Sequence, residues 1–79
     1  MAKTVLSAID QFVVDVVKRK RIENELSQKE LSFELEVSIS FVGDIENPKK
    51  RAKYNLTHIN KLAKFFECSP QDFLPDHPL

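Results

Sequence analysis

A single glycine, Gly43, in a chain of 79 residues constrains this fold more than any other feature. Tight hairpins need backbone at positive φ, and loops that cradle phosphate need backbone free of Cβ; glycine supplies both. Three of the four prolines fall in the last ten residues, so the punctuation of a sandwich or barrel of short strands is missing as well. A glycine-rich nucleotide loop is therefore excluded, an all-β fold is the class least favoured, and an all-α architecture with short, capped connections is expected. With 42% hydrophobic residues and Cys68 as the one thiol, no internal disulfide can form. Residues 1–79 are read as one small domain resting on one apolar core, and a reducing cytoplasm suits it. Asp10 and Gln11 interrupt the apolar run near the N-terminus, which argues against a signal peptide. Nothing approaches the roughly 18–20 apolar residues of a membrane span.

Val5, Ile9, Phe12, Val13, Val16 and Val17 recur at steps of three and four, the stripe of a first helix that starts at Thr4 or Ser7 and runs to Arg21. Ser7 and Asp10 have the spacing of a capping box, and Lys18, Arg19, Lys20 and Arg21 place cations at the negative end of the helix. Ser27 with Glu30 is a second capping box, opening a short helix with Leu31 and Leu35 inward. The pattern breaks at Glu36-Val37-Ser38. Ser38 can cap a third helix over residues 39–46, with Val42 and Ile45 inward, before Pro48 forbids continuation. Residues 48–54 lack periodicity and read as a basic loop. Asn55 caps a fourth helix carrying Leu56, Ile59, Leu62, Ala63 and Phe66, and Ser69-Pro70-Gln71-Asp72 starts a fifth, very short one with Phe73 and Leu74.

Catalysis has little to work with. His58, His77 and Cys68 are the soft metal ligands and are irregularly spaced, so no metal site, cofactor or catalytic residue is expected. His58 is read as a surface residue. The informative unit is residues 27–47. Two short helices meeting at a large angle bury little, so they need a small residue at the crossing and a few spaced apolar residues to dock. Ser32 is the small residue, Leu31, Leu35, Val42 and Ile45 make the contacts, and Val37 plugs the angle. That spacing marks a DNA-binding helix-turn-helix.

The run Leu26-Ser27-Gln28-Lys29-Glu30-Leu31, followed by Val37-Ser38 and by Val42 through Ile45-Glu46-Asn47, resembles the Xre/Cro/CI family of bacterial and phage repressors. The likeness continues through Leu62-Ala63-Lys64-Phe65-Phe66 and Ser69-Pro70-Gln71-Asp72-Phe73-Leu74, so it covers roughly residues 18–74. It implies a compact five-helix, lambda-repressor-like domain. It also implies a sequence-specific transcriptional regulator, a repressor, acting as a homodimer on double-stranded DNA. By the same resemblance Gln28 hydrogen-bonds a phosphate at the opening of the second helix, and Ile39, Ser40, Gly43 and Asp44 hold the outward positions that meet base edges in the major groove. Arg21 and Glu46 correspond to the family's ion pair between the ends of the first and third helices. Lys49, Lys50, Arg51 and Lys53 lie where the family grips phosphates.

The chain departs from the family pattern in places. Glu36 stands where the turn usually has glycine, at a cost of about 1 kcal/mol for left-handed backbone. Ile39 can only meet a thymine methyl, and Asp44 can accept from cytosine but repels phosphate. Gly43 costs roughly 1 kcal/mol against alanine within a helix; its bare Cα either lets the backbone approach the groove or reflects local packing. Phe41 either reaches DNA or tucks against the basic loop or Tyr54. The sparse reading set motivates an alternative, a protein-interaction module such as an antitoxin, with a toxin as partner. Dimer contacts are sought at Val5 or Phe12, or at Phe73, Leu74 and Leu79. Twelve basic and twelve acidic residues give zero net charge. The total hides +3 over residues 1–21, −6 over 22–46, +6 over 47–64 and −3 over 65–79. A localised phosphate grip at residues 49–53 is expected, and indiscriminate coating of DNA is not.

Overall fold

The computed structural model describes residues 5–79. It holds α1 (Ala8–Glu23), α2 (Gln28–Glu34), α3 (Phe41–Glu46), α4 (Leu56–Phe66) and a 3-10 turn over Pro70–Phe73. No strand occurs among the described residues, and no helix there is long and apolar enough to cross a membrane. The all-α expectation holds with one correction to its count: the fifth element is a 3-10 turn. Pro70 occupies its first position and Ser69 and Asp72 cap it reciprocally. Pro75 then holds Leu74 in extended backbone, so only four residues can coil.

Helix starts follow the caps. Ser27 with Glu30 and Asn55 with His58 form complete capping boxes. Ser7 opens α1 and accepts from the Asp10 N–H at 3.2 Å, but its own hydroxyl donates to the Asp10 carboxylate at 2.8 Å, so that box is half formed. The alternative start at Thr4 lies outside the described residues. α3 begins two residues later than its sequence suggests. Residues 38–40 form a turn closed by the Phe41 N–H donating to the Ser38 carbonyl at 3.0 Å, and Ser40 is the N-cap without a side-chain bond.

Helix ends follow a rule that the sequence shows at only one of three places. Glu25, Glu36 and Glu67 take left-handed backbone at φ 56°, 58° and 55°. The next residue in each case donates its N–H five residues back: Leu26 to Arg21, Val37 to Ser32 and Cys68 to Ala63, at 3.0–3.2 Å. This is the Schellman closure of a helix, and Leu26, Val37 and Cys68 pack against the core as its apolar lock.

The core gathers Val13, Val14, Val16 and Val17 of α1, Leu31 and Leu35 from α2 and its end, Val42 and Ile45 of α3, Ile59 and Leu62 of α4, and Phe73. Val14 was absent from the expected stripe. Val5 and Ile9 were in it, yet both stay exposed, because Val5 precedes α1 and Ile9 sits in its first turn at the rim of the fold. Phe73 is fully buried, so it is removed from the candidate dimer contacts. Phe12 is half-buried against the core.

Candidate nucleic-acid interface

α2 and α3 are joined at a buried polar point. Ser32 is fully buried, and its hydroxyl accepts from the backbone N–H of Val42 at 3.1 Å. The small residue at the crossing thus also satisfies a donor at the start of α3, which would otherwise lack an intrahelical partner. Leu31, Leu35 and Val42 around it are fully buried, and Ile45 nearly so.

A second tie fixes the far end of α3. Arg21 Nε donates to Glu46 Oε2 at 2.9 Å and Nη2 to Oε1 at 2.8 Å, while Nη1 reaches the Leu26 carbonyl at 2.7 Å. The two side chains are only 11% and 3% exposed. A bidentate pair so poorly hydrated locks geometry, and removing one partner strands a buried charge at a cost of about 3 kcal/mol. The end of α1, the turn into α2 and the end of α3 are held as one rigid frame.

On the outward side the expected reading residues divide. Ile39 and Ser40 are exposed, and they stand on the turn that leads into α3 rather than on the helix. Gly43 is half-buried, and a Cβ built there would stand 3.0 Å from Gln28 Oε1. Gln28 Nε2 donates to Glu46 Oε1 at 3.0 Å. The bare Cα of Gly43 therefore makes room for the Gln28 carboxamide, and Gln28, though exposed, is tethered to Glu46 rather than standing free. Asp44 has Lys50 Nζ 3.6 Å from its Oδ1, an exposed pair that offsets its charge.

The basic loop leaves α3 directly. Asn47 shapes its start, its carbonyl accepting from the Lys50 N–H and its side chain from the Lys49 N–H, each at 3.0 Å. Lys49, Lys50 and Arg51 are exposed. Among the described residues Lys49 and Arg51 make no salt bridge. Lys53 turns away toward α1, with Nζ 3.1 Å from Asp10 Oδ2. The Asp10 carboxyl is held below its ordinary pKa, first by the Ser7 hydroxyl and then by Lys53, against a partial desolvation.

Between loop and helix lies an aromatic cluster, of which the sequence offered the Phe41–Tyr54 contact as one of two readings but not the part played by His58. Phe41, the first residue of α3, packs its ring 4.8 Å from that of His58 and 6.2 Å from that of Tyr54, and Tyr54 and His58 are 6.1 Å apart. Phe41 is therefore tucked inward. His58 is half-buried, not a surface residue, and its Nδ1 accepts from the Asn55 N–H at 3.0 Å. Burial, with Lys61 adding to it, holds its pKa below the ordinary value, which favours the neutral ring that this cap requires. The spacing Asn55-x-x-His58 was the available signal, since it matches that of a capping box. The Tyr54 hydroxyl is buried without a partner. Burial raises its pKa, Glu46 adds to the rise and Arg21 opposes it.

Residues 17–73 match the model of a helix-turn-helix family. No curated protein matches the chain. Among solved structures it is similar to the restriction-modification controller protein C.AhdI from Aeromonas hydrophila, at 25% identity and a TM-score of 0.65, over 80% of this chain and 92% of that one. The matched span runs from Val17 of α1 to Phe73 and so takes in the Arg21–Glu46 tie, the Ser32 crossing and the loop behind α3. The frame that holds α3 in place is thus the part of the chain that is shared, and the protein belongs to the Xre/Cro-type helix-turn-helix family of DNA-binding transcription regulators.

Proposed function

We propose that this protein is a sequence-specific repressor that binds double-stranded DNA as a homodimer and lays α3, with the turn before it, in the major groove. The observation that carries this reading is the double tie of α3, to α2 through Ser32 and to α1 through Arg21 and Glu46. It presents one short helix rigidly, with the basic loop directly behind it. Ile39 and Ser40 are the open base-reading positions. Gly43 leaves room beside α3 for the Gln28 carboxamide, and Asp44 selects against phosphate and toward a cytosine amine. Lys49, Lys50 and Arg51, with Lys53, grip the flanking phosphates, and Gln28, positioned by its bond to Glu46, joins them from the opening of α2. Repression asks least of this surface, because occupancy of an operator excludes other proteins from it. A single small module buries too little DNA for tight binding, which supports the homodimer.

The test is titration against duplex from the protein's own upstream region and against random duplex at several salt concentrations. Tighter binding to the upstream duplex is expected, and equal affinity would overturn the specific-repressor reading. The likeness to a restriction-modification controller makes a promoter beside such a gene pair, where there is one, the next duplex to try. Replacing Lys49, Lys50 and Arg51 by alanine should weaken both complexes, whereas a bulky residue at Ser40 should weaken mainly the specific one. A second reading, as a protein-interaction module such as an antitoxin, has one observation in its favour. Phe33 is 79% exposed on the outer face of α2, in a groove with Leu26, Lys29, Glu30 and Glu34 that would suit a basic protein segment.

A further inference from the structure

Ile39 is the one large hydrophobic side chain left exposed between residues 35 and 55, the stretch that holds the turn, α3 and the basic loop. It is 67% exposed, on the turn that the Phe41 N–H closes by donating to the Ser38 carbonyl. Phe41 itself packs against His58 and Tyr54, so Ile39 is the large apolar group that this stretch offers to a ligand. A β-branched side chain is stiff at χ1, and the turn that carries it leads straight into a helix tied at both ends. Its methyl groups are therefore presented in a nearly fixed place. We propose that Ile39 reads the 5-methyl group of a pyrimidine rather than a particular base, so that 5-methylcytosine takes the place of thymine at its position and cytosine methylation turns a weak site into a strong one. The proposal rests on the DNA-reading assignment above and deepens it, naming methylated DNA as a ligand that this surface selects.

In the major groove thymine shows its C5 methyl beside the O4 acceptor, cytosine shows its N4 amine beside a bare C5, and both purines show polar atoms at N7 and position 6. An isoleucine laid on a purine edge desolvates polar atoms without pairing them. Laid on a pyrimidine methyl, it buries apolar surface instead.

To separate thymine from 5-methylcytosine a protein must test position 4, where one base accepts and the other donates. Nothing at the expected reading positions makes that test in favour of thymine. The side chain of Ile39 and the bare Cα of Gly43 carry no donor or acceptor. Ser40 is the N-cap of α3 without a side-chain bond, and a hydroxyl can turn to donate to O4 or to accept from N4. Asp44, as a carboxylate, accepts only, so at its own base pair it favours the cytosine amine whether or not C5 carries a methyl. Arg, Lys, Asn and Gln, the side chains whose donors would enforce O4 or O6, are absent from residues 38–46. The methyl group is thus what this reading set can tell apart at the position of Ile39.

The experiment is fluorescence-anisotropy titration of the upstream duplex, with each thymine of either strand replaced in turn by deoxyuridine, by cytosine opposite guanine and by 5-methylcytosine opposite guanine. The proteins are the wild type, Ile39→Val and Ile39→Ala. At one thymine or more, deoxyuridine and cytosine should each weaken wild-type binding about fourfold, the effect of leaving one methyl group unburied, and 5-methylcytosine should restore it to within about twofold. Ile39→Val should keep this preference, and Ile39→Ala should bind the four duplexes alike. Because Ile39 is exposed, circular dichroism should show both variants folded. A wild type that prefers the upstream duplex to random duplex but is indifferent to deoxyuridine at every thymine, or rejects 5-methylcytosine as it rejects cytosine, overturns this inference and leaves the repressor reading standing. A methyl preference that survives in Ile39→Ala overturns it too. Equal affinity for upstream and random duplex overturns both.

Discussion

Gly43 shows how one residue can serve stability and recognition in opposite senses. Alanine there should gain about 1 kcal/mol of helix propensity. Its methyl would meet Gln28 Oε1 at 3.0 Å, and because that atom ends a flexible side chain, Gln28 can swing aside at little cost and leave Glu46. Gly43→Ala should therefore raise the melting temperature slightly and weaken DNA binding through the displaced Gln28. The check is a double-mutant cycle: in a Gln28→Ala background, Gly43→Ala should have no further effect on affinity. An undiminished effect would mean that the bare Cα itself meets DNA. The sequence left both readings of Gly43 open, since helical spacing places residue 43 off the buried stripe but says nothing of a side chain arriving from another helix. It was the same with Phe41, whose partners Tyr54 and His58 lie at the end of the loop and in the helix after it.

At the scale of elements, what was legible is what is local. Ser27, Asn55 and Ser69 announce helix starts within three residues of themselves, and the Arg21–Glu46 tie was legible through the family resemblance. Helix ends were less legible, because Glu25 and Glu67 take conformations that glycine usually marks. Each of these glutamates bears a left-handed cost of about 1–2 kcal/mol and places a negative charge beside the negative end of its helix. Replacing Glu25, Glu36 or Glu67 by glycine should stabilise the fold by about 0.5–1 kcal/mol each, after the added freedom of the unfolded chain is deducted. The gains should add across the three sites, read as a rise of a few degrees per site in thermal melts. A fall in melting temperature would show that these side chains make contacts that offset the backbone strain. The start of α4 gives a pH dependence instead. His58 caps as a neutral ring, with its pKa held below the ordinary value of 6.5 by burial and by Lys61. As pH falls through 6.5 the unfolded chain takes up this proton before the folded one does, so stability falls until the folded ring is protonated too. Asp10 and Glu30, whose pKa values are lowered, lose their contributions only at more acidic pH. His58→Gln keeps an acceptor for the Asn55 N–H, so its melting temperature should change less between about pH 7.5 and about pH 5 than that of the wild type. Equal slopes would show that the ring does not titrate within the fold.

For the whole molecule, zero net charge coexists with a phosphate grip because charge is segregated along the chain and then partly paired in space. The −6 of residues 22–46 adjoins the +6 of residues 47–64. Pairing divides the basic loop unevenly: Lys50 lies near Asp44 and Lys53 near Asp10, while Lys49 and Arg51 are left to the solvent. An acidic flank next to a small cationic patch penalises a duplex that is out of register, since a displaced phosphate meets carboxylates instead of lysines. Affinity for random duplex should therefore depend on salt with a slope set by a few contacts, each contributing about 0.9 in the logarithmic plot. Lys49→Ala and Arg51→Ala should each lower that slope by about 1, and Lys53→Ala by less than half as much, because its ammonium is already drawn toward Asp10. Asp10→Asn releases Lys53 and should make Lys53→Ala as costly as the other two. If Lys53→Ala lowers the slope fully in the presence of Asp10, the pair does not hold against phosphate, and the loop grips DNA with all its cations alike.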